Sequence, residues 1–387
     1  MLHQAKGIAA LAYRASLAGG KDPGIDRFVV EALFTTVTNV NFDAERLMGW
    51  IREGEKQRRR AVELYRSVVG SDAPVPEIAK WAPAENLGSL LAQQAGIGIE
   101  ARKAEYGGNI AGLQELLLYG LKGAAAYAER ARILELEDGA VNAFFHEALA
   151  FLGKNPTDIG VLTEMSLRCG EINLQVMELL DRAHTSSYGA PVPTSVRVEP
   201  RAGKAILISG HDLKDLEELL KQTEGTGINV YTHGDMLPAH GYPGLHRYAT
   251  LAGNYGGAWQ GQQKEFDDFP GAILMTTNCI QKPLDSYRKR IFTAGLVAWP
   301  GVTHVEDRDF TQVIEAAKPS PGFAEEGPER TILVGFARDA VLGIADKVID
   351  AVKTGAIRHL FLVGGCDGAR PGRNYYTDLA SRCRMTV

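Results

Sequence analysis

The chain has 387 residues, of which 45% are hydrophobic and 23% charged, with a formal net charge of -5. That length accommodates two or three domains with cores of their own, and the mildly acidic balance excludes a nucleic-acid binder built on a basic stripe. The longest apolar runs are broken by Gly, Arg or Glu well short of the ~20 residues of a membrane span, and the N-terminal stretch has only a brief apolar core without a convincing cleavage site.

Residues 1–190 read as helices. Ala, Leu, Glu and Arg dominate, and apolar positions recur at three and four, as in "LQELLLYGLKGAAAYAERARIL" and "CGEINLQVMELLDRAH". This half also repeats itself at an offset of 116: "IDRFVVEALFTT" from Ile25 aligns with "VNAFFHEALAFL" from Val141. Lys6-Gly7 then falls on Lys122-Gly123, Arg14 on Arg130, Asn39 on Asn155, and Gly54-Glu55 on Gly170-Glu171. Two tandem bundles of three helices each follow. The second copy's first helix is expected near Leu113, which places the matching start before Met1, so the first bundle reads as clipped.

"YGAPVPTSVRVEPRAGKA", from Tyr188 to Ala205, marks a boundary with three prolines and two glycines. Beyond it, short apolar runs alternate with helical stretches. Strands are expected at Ala205–Ser209, Ile228–Thr232, Ala272–Thr277, Gly295–Trp299, Thr331–Phe336 and His359–Gly365, with helices at Leu213–Thr223, capped by Asp212, and Asp339–Gly355. Strand followed by helix followed by strand is the pattern of a mainly parallel α/β sheet. The Pro- and Gly-rich "KPSPGFAEEGPE" separates two such domains. The expected organisation is multidomain: a helical domain over 1–190, an α/β domain over 200–322, and an incomplete second α/β domain over 328–387.

Four cysteines, Cys169, Cys279, Cys366 and Cys383, are too few and too scattered for a disulfide framework, which points to a cytoplasmic, reducing compartment. Four potential metal ligands each follow an expected strand: His211, Asp235, Cys279 and Cys366. In open parallel sheets ligands bind beyond the carboxyl ends of the strands, so these four could share one crevice. One imidazole, one carboxylate and two thiols without a CxxC pair suit a mixed iron–sulfur–oxygen cluster better than zinc. Each has a plainer reading: a buried core thiol for either cysteine, a backbone-bonded imidazole for His211, a turn residue for Asp235. Cys169 reads as helix packing, and Cys383 is unassigned. A competing site uses His233, Asp235 and His240 around a single ion, as in a mononuclear metal hydrolase. "SGHDLKDL" lacks a dinucleotide fingerprint, and no GxxxxGK[ST] occurs.

"GHDLKDLEELLKQTEGTGINVYTHGDMLPAHGYP", "GNYGGAWQ", "MTTNCIQKP", "RIFTAGLVAWPGV" and "FLVGGCDGARPGRNYYT" closely resemble the hybrid-cluster (prismane) proteins, or hydroxylamine reductases, across essentially the whole chain. The resemblance implies a prismane-like fold and a cytoplasmic iron–sulfur oxidoreductase holding a hybrid iron–sulfur–oxygen cluster. By motif, His211 in "GHDL" and Cys279 in "TTNC" match cluster ligands, and Cys366 in "GGCDG" matches the ligand cysteine that can carry a persulfide. Asp235 stands where the family has glutamate. The implied reaction is reduction of hydroxylamine to ammonia and water, with nitric oxide reduction to nitrous oxide related to it. An iron–sulfur flavoprotein reductase or ferredoxin would be the redox partner; neither nucleic acid nor membrane is one. The Cys-rich segment that holds a second, [4Fe-4S] or [2Fe-2S] cluster in the family has no counterpart here, nor do the family's last two cysteines and glutamate. The chain therefore reads as truncated at both ends, and an inactive fragment serving as a scaffold is the alternative to a reductase.

Overall fold

The computed structural model describes residues 1–363, 367 and 372–383. Helices α1 (Leu2–Leu17), α2 (Pro23–Phe34) and α3 (Ala44–Val69) are the first three-helix set, and α7 (Gly108–Ile133), α8 (Gly139–Leu152) and α9 (Ile159–Tyr188) the second; the two sets interlock, α1 packing on α3 and α8, and α7 on α2 and α9. Between them lie α4 (Glu77–Lys80), α5 (Leu87–Ile97) and α6 (Ile99–Tyr106). The offset of 116 carries the start of α2 onto the start of α8 and the start of α3 to within one residue of α9. Caps repeat too: Asp22 accepts from the first turn of α2 and Asp138 from that of α8. Asn39 and Asn155 both take left-handed backbone, with φ of 58° and 48°, a conformation Asn tolerates better than most residues. Helix α7 begins at Gly108, five residues ahead of the expected Leu113.

One apolar core runs through both bundles, from Ile8 and Leu33 to Phe145 and Leu149. Cys169 belongs to it, 4% exposed. A Cβ on Gly120 would come within 2.9 Å of its sulfur, so this thiol packs α9 closely against α7.

After α9 come β1 (Thr194–Arg197), β2 (Ala205–Ser209), α10 (Leu213–Thr223), β3 (Asn229–His233), a 3-10 segment (Gly234–Gly241), α11 (Pro243–His246), β4 (Leu251–Asn254), α12 (Gln262–Asp268), β5 (Ala272–Met275), β6 (Ile291–Ala294), β7 (Thr303–Val305) and α13 (Thr311–Ala317). Six of these strands form one parallel sheet in the order β4-β3-β2-β5-β6-β7. Every residue of β2 and β5 is buried. Ile206 and Ile208 face one core with Leu216, Leu220 and Phe310, while Ala205 and Leu207 face the other with Phe266 and Phe269. Alternation of two into two cores is what a sheet covered on both faces requires.

The chain continues through β8 (Thr331–Val334), α14 (Arg338–Leu342), α15 (Ala345–Lys353) and α16 (Tyr375–Cys383). β8 pairs antiparallel with β1 in a separate two-stranded sheet.

Three expectations are corrected. The apolar run Gly295–Trp299 is not a strand: Gly295, at φ 60°, turns the chain out of β6, which ends at Ala294. Ala298 bonds instead to the helical half, its N–H donating to the Val40 carbonyl at 3.1 Å. The helix expected over Asp339–Gly355 is two helices that break at Gly343. The described part of the expected strand at His359–Gly365, residues 359–363, is not a strand and pairs with nothing among the described residues; Leu362 is 98% exposed. The remainder of that strand and Cys366 lie outside the described residues.

Candidate metal centre

The strand order reverses between β2 and β5, the place where a parallel sheet opens a crevice at its carboxyl edge. His211 follows β2, Cys279 follows β5 and Asp235 follows β3. One donor atom from each lies within 4.8 Å of the others, forming a mixed nitrogen, oxygen and sulfur set. Of the four sequence-predicted ligands, the fold brings these three together; Cys366 lies outside the described residues.

Each donor is held by its own local device. Gly210, at φ 119°, carries the chain off β2, and a Cβ there would lie 2.5 Å from the Thr276 hydroxyl and 2.7 Å from that of Thr277. Only glycine permits that approach. Asp212 then caps α10, accepting from the N–H groups of Lys214 at 2.8 Å and Asp215 at 3.1 Å. Arg308 ties this turn down from outside, bonding Asp215 at 2.7 Å and Asp212 at 3.3 Å. The His211 ring between these anchors has Nδ1 2.8 Å from the Thr277 hydroxyl and Nε2 3.2 Å from the Asp235 carboxylate. Thr277 thus fixes the ring so that Nε2 faces the other donors, the arrangement by which an outer partner orients a ligating imidazole.

Cys279 takes left-handed backbone, φ 76°, which a side chain with a Cβ adopts at a cost of about 1–3 kcal/mol. Its surroundings hold it there. Gln262, 1% exposed, donates to the Cys279 carbonyl at 2.9 Å and accepts from the Gln281 N–H at 2.9 Å. Asn39, from the first bundle, donates its side-chain amide to the Ile280 carbonyl at 2.9 Å and accepts from the Ile280 N–H on its own carbonyl at 3.2 Å. The thiol is therefore aimed by both halves of the protein.

The electrostatics fit a bound cation. Burial, and then the nearby Asp235 charge, push the Cys279 thiol up to about 11. The bond from His211 holds Asp235 below its ordinary range. A carboxylate and a thiolate at this separation ionise together only when positive charge is supplied between them. Arg130 on α7 contributes some: Asp212, Asp235 and Cys279 all act on its guanidinium, which stacks 4.8 Å from the Tyr127 ring centroid and donates Nε to the Ala126 carbonyl at 3.0 Å. The donor set suits a metal group of mixed softness.

The alternative site around His233 and His240 does not form. His233 is fully buried between the Ser209 hydroxyl, 3.0 Å from Nδ1, and Glu265, 2.8 Å from Nε2. His240 is 2% exposed, its Nε2 2.8 Å from the Thr232 hydroxyl, and burial lowers it to about 4. Both imidazoles are committed to holding β3, and among the described residues the only cluster of metal donors is His211, Asp235 and Cys279. Thr277, Gln262, Asn39 and Arg130 were not legible as site residues. The hydroxyl two positions before the cysteine in "TTNC", and the repeat pairs Arg14/Arg130 and Asn39/Asn155, are the signals that could have marked three of them.

A helical half followed by a parallel sheet with mixed donors at its switch point defines an α/β protein with a candidate metal centre. The Prismane/CO dehydrogenase family profile matches residues 1–385, and the chain belongs to that family. It is 54% identical over 386 residues to a hydroxylamine reductase of Burkholderia ambifaria, covering 99% of this chain and 70% of that one. It is 52% identical over 382 residues to one of Syntrophobacter fumaroxidans, with the same coverage. Among solved structures, the alpha subunits of acetyl-CoA synthase/carbon monoxide dehydrogenase align with 91% of this chain and 53% of theirs, at a TM-score of 0.40 and 13% identity. No helix among the described residues is long and apolar enough to cross a membrane.

Proposed function

We propose that this protein is a hybrid-cluster oxidoreductase that reduces hydroxylamine to ammonia and water, and that His211, Asp235 and Cys279 are ligands of its cluster, with Cys366 a fourth. The convergence of those three donors at the switch point carries the reading; the relatives, named hydroxylamine reductases, supply the substrate class. A bound iron–sulfur–oxygen cluster supplies electrons and a Lewis-acidic iron for the N–O group.

The chain's own residues set the stage for that chemistry. Thr277 holds His211 with Nε2 forward, Gln262 and Asn39 hold Cys279 in its strained conformation, and Arg130 offsets the negative charge of Asp235 and the thiolate. The reaction takes up two electrons and two protons, so a redox partner of the ferredoxin or iron–sulfur flavoprotein class belongs to this reading. A second cluster of the [4Fe-4S] or [2Fe-2S] type on the electron path, and a cytoplasmic location, are proposals on the same ground.

Anaerobic purification followed by iron and acid-labile sulfide analysis, and hydroxylamine consumption with reduced viologen, tests it. The wild-type protein is expected to hold iron and sulfide and turn over, while His211→Ala and Cys279→Ala lose both. Full iron content and turnover in either variant would overturn the ligand assignment.

A further inference from the structure

Helices α7 and α9 pack with an open apolar groove between them. Its walls include Leu116 and Tyr119 from α7 and Leu167 from α9, its floor is Gly120, Gly123 and Gly170, and no Asp, Glu, Lys or Arg lines it. Leu116 is 58% exposed, and Leu167 and Leu174 are each 68% exposed. Along α9 the apolar stripe runs Leu167, Gly170, Leu174, Met177, in alternating steps of three and four, the seam spacing of a helix that packs against another helix. The core-facing residues of α9, Leu162, Cys169 and Val176, lie on a different line, so the stripe is a second apolar face. An apolar patch of this kind left in water marks an interaction site.

The repeat shows what covers such a face. Gly7 of α1, the counterpart of Gly123, is overlaid by α4: a Cβ there would come within 2.7 Å of the Ile78 carbonyl oxygen and 2.9 Å of the Ala79 Cα. His3, the counterpart of Tyr119, meets the Trp81 ring edge-on at 5.2 Å. In the second copy a Cβ on Gly123 would meet open space, and Tyr119 is 54% exposed. A helical turn thus covers the face in one copy, and the other presents it bare among the described residues. Charge selects the partner. Glu164, Glu171 and Glu178, seven residues apart, run beside the stripe, all exposed and without an ion pair or side-chain hydrogen bond among the described residues. Arg168, between the first two, spends both terminal guanidinium nitrogens on Glu147, at 2.8 and 3.0 Å. A row at that spacing flanks the seam where paired helices meet each other's charges. The same patch on a second copy would bring its own glutamates, setting like charges together.

We infer that this face docks an amphipathic helix of a partner protein, its apolar stripe seated between α7 and α9 and its flanking lysines or arginines opposite Glu164, Glu171 and Glu178. This is recognition of a helix in a groove, read out by anchors at helical spacing. The leucines supply apolar burial, the glycines admit close approach, and the glutamates select a basic helix over an acidic one. None of these residues belongs to the metal centre, and the inference does not depend on the reductase reading.

Fluorescence anisotropy of a labelled synthetic helix tests this: three heptads with leucine at the first and fourth positions and lysine at the fifth and seventh. Saturable binding of one peptide per chain is expected, and the same peptide with glutamate for lysine should bind about tenfold or more weakly. Reversing the acidic row with Glu164→Lys, Glu171→Lys and Glu178→Lys together should invert that preference. Leu167→Gln combined with Leu174→Gln should abolish binding of the lysine peptide and leave the urea midpoint unchanged, since both side chains are exposed and glutamine keeps helix propensity. Absence of saturable binding to the wild type, whether the groove is covered by the protein's own residues or takes no helix, would overturn the inference. So would undiminished binding in the double glutamine variant, or a preference that charge reversal does not invert. Dimerisation of the wild type in sedimentation equilibrium that the two glutamines abolish would assign the face to a second copy and overturn it as well.

Discussion

Replacing Gln262 with alanine tests whether Cys279 is held in its conformation by its surroundings. The substitution leaves the Cys279 carbonyl and the Gln281 N–H without the partners they have at 2.9 Å each. A buried polar group that loses its partner costs about 1–3 kcal/mol, so the pair gives about 2–4 kcal/mol, allowing for the loop's partial exposure. The strain of about 1–3 kcal/mol at φ 76° adds a direction: with the clamp gone, Cys279 relaxes toward right-handed backbone and its sulfur swings away from His211 and Asp235. With a urea m-value of about 2–3 kcal/mol per M, the transition followed by the fluorescence of Trp259 and Trp299 should move down by about 1 M, and iron content should fall with it. Gln262→Glu keeps the acceptor for Gln281 but cannot donate to the Cys279 carbonyl, and should fall between wild type and Gln262→Ala. An unchanged midpoint together with full iron occupancy in Gln262→Ala would refute the argument that the clamp maintains the strain.

Three further outcomes are expected. Thr277→Val removes the partner of His211 Nδ1 and should lower iron affinity about 10–100-fold, with Thr277→Ser restoring it, as read by iron-to-protein ratio under chelator challenge. Asp235→Glu, the residue of the resembling family at this position, should retain iron, whereas Asp235→Ala should lose it; equal retention by Asp235→Ala would remove this carboxylate from the ligand set. The fold should weaken on acidification between pH 6.5 and about 4, because burial lowers His240 to about 4. The unfolded chain binds this proton first as pH falls, so stability present above 6.5 is lost at about 1.4 kcal/mol per pH unit across that window. Urea midpoints against pH should show a shallower slope in His240→Gln than in wild type.

Much of this protein was legible in one dimension because its signals are local or periodic. The offset of 116 exposed the duplicated bundle because equivalent positions meet equivalent packing, down to the left-handed Asn39 and Asn155. The fully buried strands at Ala205–Ser209 and Ala272–Met275 stood out as short apolar runs, since both faces of the sheet are covered. The motifs around His211, Asp235 and Cys279 pointed to donors at strand ends.

Tertiary structure alone decided the rest. Gly295–Trp299 has a strand's composition, but Ala298 bonds Val40 across the chain, and pairing depends on which backbone lies alongside rather than on composition. His233 and His240 share a motif with Asp235, yet the partners that divert them, Glu265 and Thr232, are fixed by the packing of α12 and β3. Asn39 lies 241 residues from the carbonyl it holds. No spacing rule reaches that far: sequence names the donors, while the distances that make them a site come from a sheet whose strand order reverses between β2 and β5 and from a helical bundle packed against its edge.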